Sequence, residues 1–248
     1  RTADGPLSAQ AEPFGRPEPW PAPGKLNLFL HVVGRRADGY HLLQTAFQFI
    51  DLCDGIRFWR RPAGVIERVG ELPGVPAESD LAIRAARRLA ERAGSTQRGG
   101  AIEVQKCLPI QGGVGCGSAD AATVLVALNE LWNLGFKCDE LAVIGSELGA
   151  DVPVFVHGRA AWAEGVGERL TPVDFPEPVY LLVQPDATVG TADVFKDPEL
   201  TRDSPAIKIR DSLTTGGRND CEPVVRRRFP AVAEALDWLG QFAPARLT

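Results

Sequence analysis

A chain of 248 residues, 44% of them hydrophobic, can bury a real core and form one large or two small domains. Its formal charge of −5 excludes a surface built on phosphate contacts, so no nucleic-acid partner is expected, and no apolar run is long enough to span a membrane. The five cysteines are scattered without zinc or disulfide spacing, which predicts no metal ligands and a reduced, cytoplasmic chain.

Residues 1–20 hold Pro6, Pro13, Pro17 and Pro19 with little apolar periodicity and are predicted to be a disordered leader. From Gly24 to Val33 the pattern alternates as a strand. It predicts Leu26, Leu28 and Leu30 on one face and Lys25, Asn27 and Phe29 on the other, where a lysine and an amide could meet a ligand or solvent. A charged turn, Arg35 to Gly39, leads through Tyr40-His41 into the apolar strand Leu42 to Ile50. Strands and loops follow to Gly74. A helix is predicted over Asp80 to Ala93, capped by Ser79 or Asp80 and carrying a solvated arginine face.

The segment Ala101 to Lys106 alternates as a strand and ends at Leu108-Pro109. Gly112, Gly113, Gly115 and Gly117 come next, freeing the backbone to take positive φ and to approach a ligand closely. An amphipathic helix opens there, with Ser118 as the N-cap candidate and Ala121, Leu125, Leu128 and Trp132 as its buried stripe. Unpaired N–H groups and the positive end of the dipole at such a helix start suit phosphate. The loop has neither the Walker A lysine nor the third glycine of the dinucleotide fingerprint, and by itself it reads equally as a structural turn.

A further helix is predicted over Asp139 to Leu148. Asp151, between that helix and the apolar run Val152 to Val156, is read either as a cap or as a functional carboxylate. Glu164 to Glu168 forms a second flexible loop. Pro172 to Pro178 reads as a linker, followed by a buried strand at Val179 to Val183, a short helix or turn at Thr191 to Phe195, and helices over Pro223 to Arg228 and Ala231 to Leu239.

Several of these stretches together resemble one family, the 4-diphosphocytidyl-2-C-methyl-D-erythritol kinases of the GHMP kinase superfamily. The resemblance is carried by Pro23 to Leu30, Ala37-Asp38-Gly39-Tyr40-His41, Leu108 to Ala122, Gly149 to Phe155, Ala163 to Glu168, Phe195 to Pro198 and Asn219 to Glu222. It implies an α+β, two-lobed GHMP-kinase-like fold. The N-terminal nucleotide-binding lobe would span 21–172, and an incomplete C-terminal ferredoxin-like lobe, lacking its final elements, would span 173–248. It further implies ATP-dependent phosphorylation of the 2-hydroxyl of a cytidine diphosphate sugar alcohol, with Mg2+ accompanying ATP.

Carried over by position, Lys25 and Asp151 form the catalytic pair, while Tyr40 and Phe195 sandwich the cytosine and His41 bonds its polar edge. Asn27, Val166 and Thr191 contact the rest of that substrate. Lys106, Pro109, Gly112, Gly113, Val114, Gly115, Cys116, Gly117 and Ser118 hold ATP. A related small-molecule kinase and a nucleotide-binding protein without catalysis are the alternatives. The family pattern is broken at Gln111, Cys116 and Ala119, and a side chain at Cys116 is expected to be strained if its backbone needs positive φ.

Overall fold

The computed structural model describes residues 14–94, 98–110, 112–209 and 217–248; most of the expected leader and Gln111 lie outside them. Its architecture follows from one long strand. The strand β2 (His41–Arg60) pairs along one edge with β1 (Trp20–Arg35), antiparallel. Along its other edge it pairs with β5 (Ala161–Gly165) near its start and β4 (Gly100–Gln105) near its end. The short strands β3 (Ile66–Val69) and β6 (Arg169–Pro172) complete a six-stranded sheet. β3 runs parallel to β4, and the remaining pairs are antiparallel.

Four helices cover one face: α1 (Leu81–Arg92), α2 (Cys116–Leu131), α3 (Cys138–Ser146) and α4 (Val152–His157). The stripe predicted for α2 is buried, with Ala121, Leu125 and Leu128 inaccessible and Trp132 nearly so, packed against Ile56, Phe58 and Ile102 of the sheet. Asp80 caps α1, its carboxylate accepting from the Ala82 N–H at 2.9 Å.

Beyond Pro172 the described residues hold α5 (Thr191–Lys196), α6 (Glu222–Arg228) and α7 (Pro230–Leu239), and no strand longer than a single bridge. The strand expected at Val179 to Val183 does not form, and with it the sheet expected of a ferredoxin-like lobe is missing from the described residues. Val179 is 101% exposed and Leu181 70%, and no described backbone takes up the N–H and C=O groups of this segment. An apolar run becomes a strand only when a neighbouring strand accepts its ladder. The leader expectation also needs correction at its end. Phe14 donates its N–H to the Phe58 carbonyl at 2.5 Å, its ring lies under the Arg60 guanidinium, and Trp20 already opens β1.

The late helices are tied to β1 by a buried carboxylate. Asp220 accepts from the Val32 N–H at 2.8 Å, from the Ser204 hydroxyl at 2.6 Å and from Arg218 Nε at 2.7 Å, while its own N–H reaches the Leu30 carbonyl. Around this tie Val32, Val194, Leu200, Val224, Val225 and Leu236 make a second core. The strand β1 therefore runs from the first core at Ala22 to the second at Val32, and Lys25, Asn27 and Leu30 between them face a cleft. Replacing Asp220 with alanine would leave the Val32 N–H and the Ser204 hydroxyl without their buried acceptor and is expected to cost about 3 kcal/mol, seen as a lowered denaturant midpoint. An unchanged midpoint would show that the tie contributes nothing.

Candidate active site

One cavity of about 1640 Å³ is lined by every residue that the sequence singles out as catalytic, substrate-binding or nucleotide-binding. That volume exceeds the ~300–1,000 Å³ of a pocket for one drug-sized ligand.

Its centre is set by β1. The strand is irregular, with register shifts between Pro23 and Lys25 and between Asn27 and Phe29. The second shift inverts the alternation. Lys25 and Asn27 face the cavity as expected, but Phe29 turns to the opposite side to pack on Ala46 and Trp162, and Leu30 lines the cavity in its place. Lys25 is 4% exposed. Its ammonium donates to Asn27 Oδ1 and to the Gly113 carbonyl at 3.0 Å, and stands 3.6 Å from Asp151 Oδ2. Asn27 in turn donates to Thr45 Oγ1 at 2.8 Å, and the Thr45 hydroxyl donates to the Phe29 carbonyl. Two of the lysine's three N–H groups are thus spent on holding it in place, and the remaining direction points to Asp151.

Asp151 occupies the N-cap position of α4, yet its side chain makes no capping bond. The two readings that the sequence left open are separated here, because the carboxylate, with 36% of its side chain exposed, faces Lys25 and the cavity.

The glycine-rich loop closes the other side. The N-cap of α2 is Gly115 (φ +72°), with no side-chain cap, rather than Ser118, which lies within the first turn. A cap residue must bring the chain in at the angle that the packed helix demands, and here that angle is left-handed. Added bulk at Gly115 would meet the Phe155 ring at 2.8 Å and Lys25 Cε at 3.3 Å, so the loop, Phe155 and Lys25 fit together only around a glycine. Gly113 (φ +76°) also needs that freedom, whereas Cys116 is an ordinary helical residue, and the strain expected there does not arise. The N–H groups of the first turn open toward the cavity without a side-chain partner, which is the arrangement that binds phosphate.

At the far end the aromatic residues gather on different chain segments. His41 and Phe195 lie ring to ring with centroids 5.2 Å apart and planes inclined by 37°, while Tyr40 stands at the rim, 65% exposed. His41 Nε2 accepts from Arg202 Nε at 3.0 Å, which leaves the proton of the neutral ring on Nδ1. Burial, and then the Arg202 and Arg35 cations, hold His41 below its usual value, so the ring is neutral at physiological pH. Val166 and Thr191 line the same wall. Lys106 is less open than the sequence suggests: its ammonium is held between Asp54 and Asp120.

Arg202, Thr45, Asp54 and Asp120 belong to this site and were not singled out beforehand. Arg202 carries no local signal, since only folding brings it to His41. Asp54 and Asp120 did carry one, a carboxylate inside an otherwise apolar or small-residue run.

The model of GHMP kinases N terminal domain matches residues 80–159. A protein of Nitrosococcus oceani named 4-diphosphocytidyl-2-C-methyl-D-erythritol kinase is 58% identical over 229 residues, covering 92% of this chain and 81% of that protein. A protein of the same name from Pseudomonas paraeruginosa is 60% identical over 228 residues, covering 92% of this chain and 80% of its own length. The chain belongs to the 4-diphosphocytidyl-2-C-methyl-D-erythritol kinase family. A crystal structure of 4-(cytidine 5'-diphospho)-2C-methyl-D-erythritol kinase superposes with a TM-score of 0.72 at 35% identity, over 88% of this chain and 80% of that one. Mevalonate kinase of L. major shares the fold at a TM-score of 0.55 and 19% identity, over 75% of this chain and 61% of that one. This member of the 4-diphosphocytidyl-2-C-methyl-D-erythritol kinases is therefore an enzyme of the GHMP kinase fold, and among its described residues no helix is long and apolar enough to cross a membrane.

Gly115→Ala is expected to lower thermal stability, with about 1–2 kcal/mol from the left-handed backbone alone and more from the overlap with Phe155. Cys116→Gly should bring no gain. A stabilised Cys116→Gly protein in a thermal melt would mean that the helix start is strained after all.

Proposed function

We propose that this chain transfers the γ-phosphoryl group of ATP to the tertiary 2-hydroxyl of 4-diphosphocytidyl-2-C-methyl-D-erythritol, in the cytoplasm, as a step of non-mevalonate isoprenoid synthesis. The observation that carries the proposal is the Lys25–Asp151 pair, 3.6 Å apart, in one cavity with the uncapped start of α2 and a cluster of aromatic rings. We place the work at the cleft between the two expected lobes, 21–172 and 173–248.

A tertiary alcohol is a crowded, weak nucleophile, and phosphoryl transfer rewards position and charge neutralisation above early proton removal. Asp151 orients the hydroxyl and accepts its proton late in the transfer. Lys25, immobilised by Asn27 and the Gly113 carbonyl, neutralises charge that builds on the transferring group. The first-turn N–H groups at Cys116, Gly117 and Ser118 receive phosphate oxygens, and Pro109, Gly112 and Val114 shape that wall. Lys106 serves the nucleotide through the N–H that its two aspartates leave free.

At the other end Tyr40 and Phe195 flank the cytosine ring, and His41 Nδ1–H donates to its polar edge. Asn27, Val166 and Thr191 hold the methylerythritol and diphosphate portions. Among the described residues no group of three His, Cys, Asp or Glu side chains converges on a point, which fits an ion that enters bound to phosphate oxygens and is held chiefly by them. Mg2+ when bound supplies neutralisation of phosphate charge.

Asp151→Asn keeps the shape of the pair and removes the proton acceptor. Turnover, measured as ADP release with ATP, Mg2+ and the cytidine substrate, is expected to fall by about 10²–10⁴, with the dissociation constant of that substrate changing much less. Equal losses in turnover and affinity would sink the division of labour between Asp151 and Lys25. Turnover with mevalonate or homoserine in place of the cytidine compound would sink the substrate assignment.

A further inference from the structure

Behind the glycine-rich loop lies a second buried ion cluster, whose two carboxylates the transfer chemistry does not use. Asp54 of β2 has no exposed side-chain surface, and the side chain of Asp120 in α2 is 6% exposed. Lys106, just beyond β4, reaches both, at 2.9 Å to Asp120 Oδ2 and in a short contact to Asp54 Oδ2. The other Asp54 oxygen accepts the N–H groups of Cys107 and Leu108 at 2.6 and 2.7 Å. The other Asp120 oxygen, Oδ1, is buried with no partner, and Asp120 lines the cavity beside the helix start.

Two carboxylates and one ammonium carry a net charge of −1 if both acids are ionised and zero if one keeps its proton. A buried negative charge beside a phosphate site is costly twice over, in desolvation and in repulsion of the ligand. We propose that Asp54 and Asp120 act as one positioning unit for the nucleotide, aiming Lys106 at the ligand and setting nucleotide affinity by the charge of the cluster.

Burial, partly offset by Lys106 and reinforced by Asp54, pushes Asp120 up to about 7. For Lys106 burial acts downward, but Asp120 and Asp54 outweigh it, so the cation persists throughout. Among the described residues, the other titratable or charged groups on the elements packed around the cluster include Asp51 and Cys53 on β2, Cys107 after β4, Cys116 on α2, Arg68 of β3 paired with Asp80 at the start of α1, and Lys25 with Asp151 across the loop. The face that α1 turns inward carries Ala82, Ile83, Ala85, Ala86 and Leu89 and no charge. Because Asp120 lies above its unfolded value, its contribution to stability is full at low pH and is lost as pH rises through about 7. Nucleotide affinity follows the same sign, since ionisation adds a negative charge beside the phosphates.

The inference rests on the nucleotide reading of the loop, and the experiment separates the two. The dissociation constant of MgATP is measured by calorimetry from about pH 6 to about pH 8.5, for the wild-type chain and for Asp120→Asn, which mimics the protonated acid and controls for ionisation of the nucleotide itself. Wild-type affinity is expected to fall by about tenfold across this range, the order of one charge about 12 Å away at an effective dielectric near 20, while Asp120→Asn stays level. Asp54→Asn, a second disruption of the pair, is expected to flatten the profile too. The free protein should also show an infrared carboxylic-acid band that disappears on raising the pH and is absent from Asp120→Asn. Identical pH profiles in wild type and both variants would overturn the positioning unit while leaving the nucleotide site standing. No MgATP binding by the wild-type chain at any pH would overturn the nucleotide reading and this inference with it.

Discussion

A buried lysine is the constraint around which this molecule is arranged. An ammonium at 4% exposure has lost most of its water, and it remains charged only where acceptors replace that water. Lys25 obtains them from three separate parts of the chain: Asn27 two residues along the same strand, the Gly113 carbonyl in the glycine-rich loop, and Asp151 at the start of α4. Each demand propagates. Asn27 is held by Thr45 on β2, the loop can approach only because Gly115 lacks a side chain, and α4 must pack with Phe155 against that same glycine. The geometry around Lys25 and the packing of the first core are thus one arrangement.

The cavity holds a second buried cation on the same plan, with a different balance. Lys25 has one carboxylate at some distance and neutral acceptors close by, whereas Lys106 lies against two buried acids. One partner charge leaves the first cation free to act on a negative reacting group. Two leave the second site sensitive to a single proton, because an excess of buried negative charge is expensive. Both lysines line the cavity beside the glycine-rich loop.

The local alternation around Lys25 and Asn27, the stripe of α2 and the cap of α1 were legible in the chain because each depends on residues a few positions apart. The side of the strand on which Phe29 falls was not. A register shift between Asn27 and Phe29 is a property of the pairing of β1 with β2, and the pattern of β1 alone carries no trace of it. Val179 to Val183 fails as a strand for a related reason, since its composition suits a sheet that no described neighbour supplies. The capping glycine shows the limit of propensity: Ser118 is the better cap by residue type, but the helix begins where packing against Phe155 and Lys25 permits.

By itself the sequence determined the residue types at the site and the family to which they belong, because motifs such as Ala37 to His41 and Gly149 to Phe155 are short stretches whose chemistry is local. Only the tertiary structure decided that Asp151 faces Lys25 instead of capping its helix, that Arg202 sets the tautomer of His41 from 161 residues away, and that Asp54 and Asp120 enclose Lys106. The physical reason is the same in each case. Charge and hydrogen bonding act across a few ångströms of space, and which groups come that close is settled by how the strands register and the helices pack.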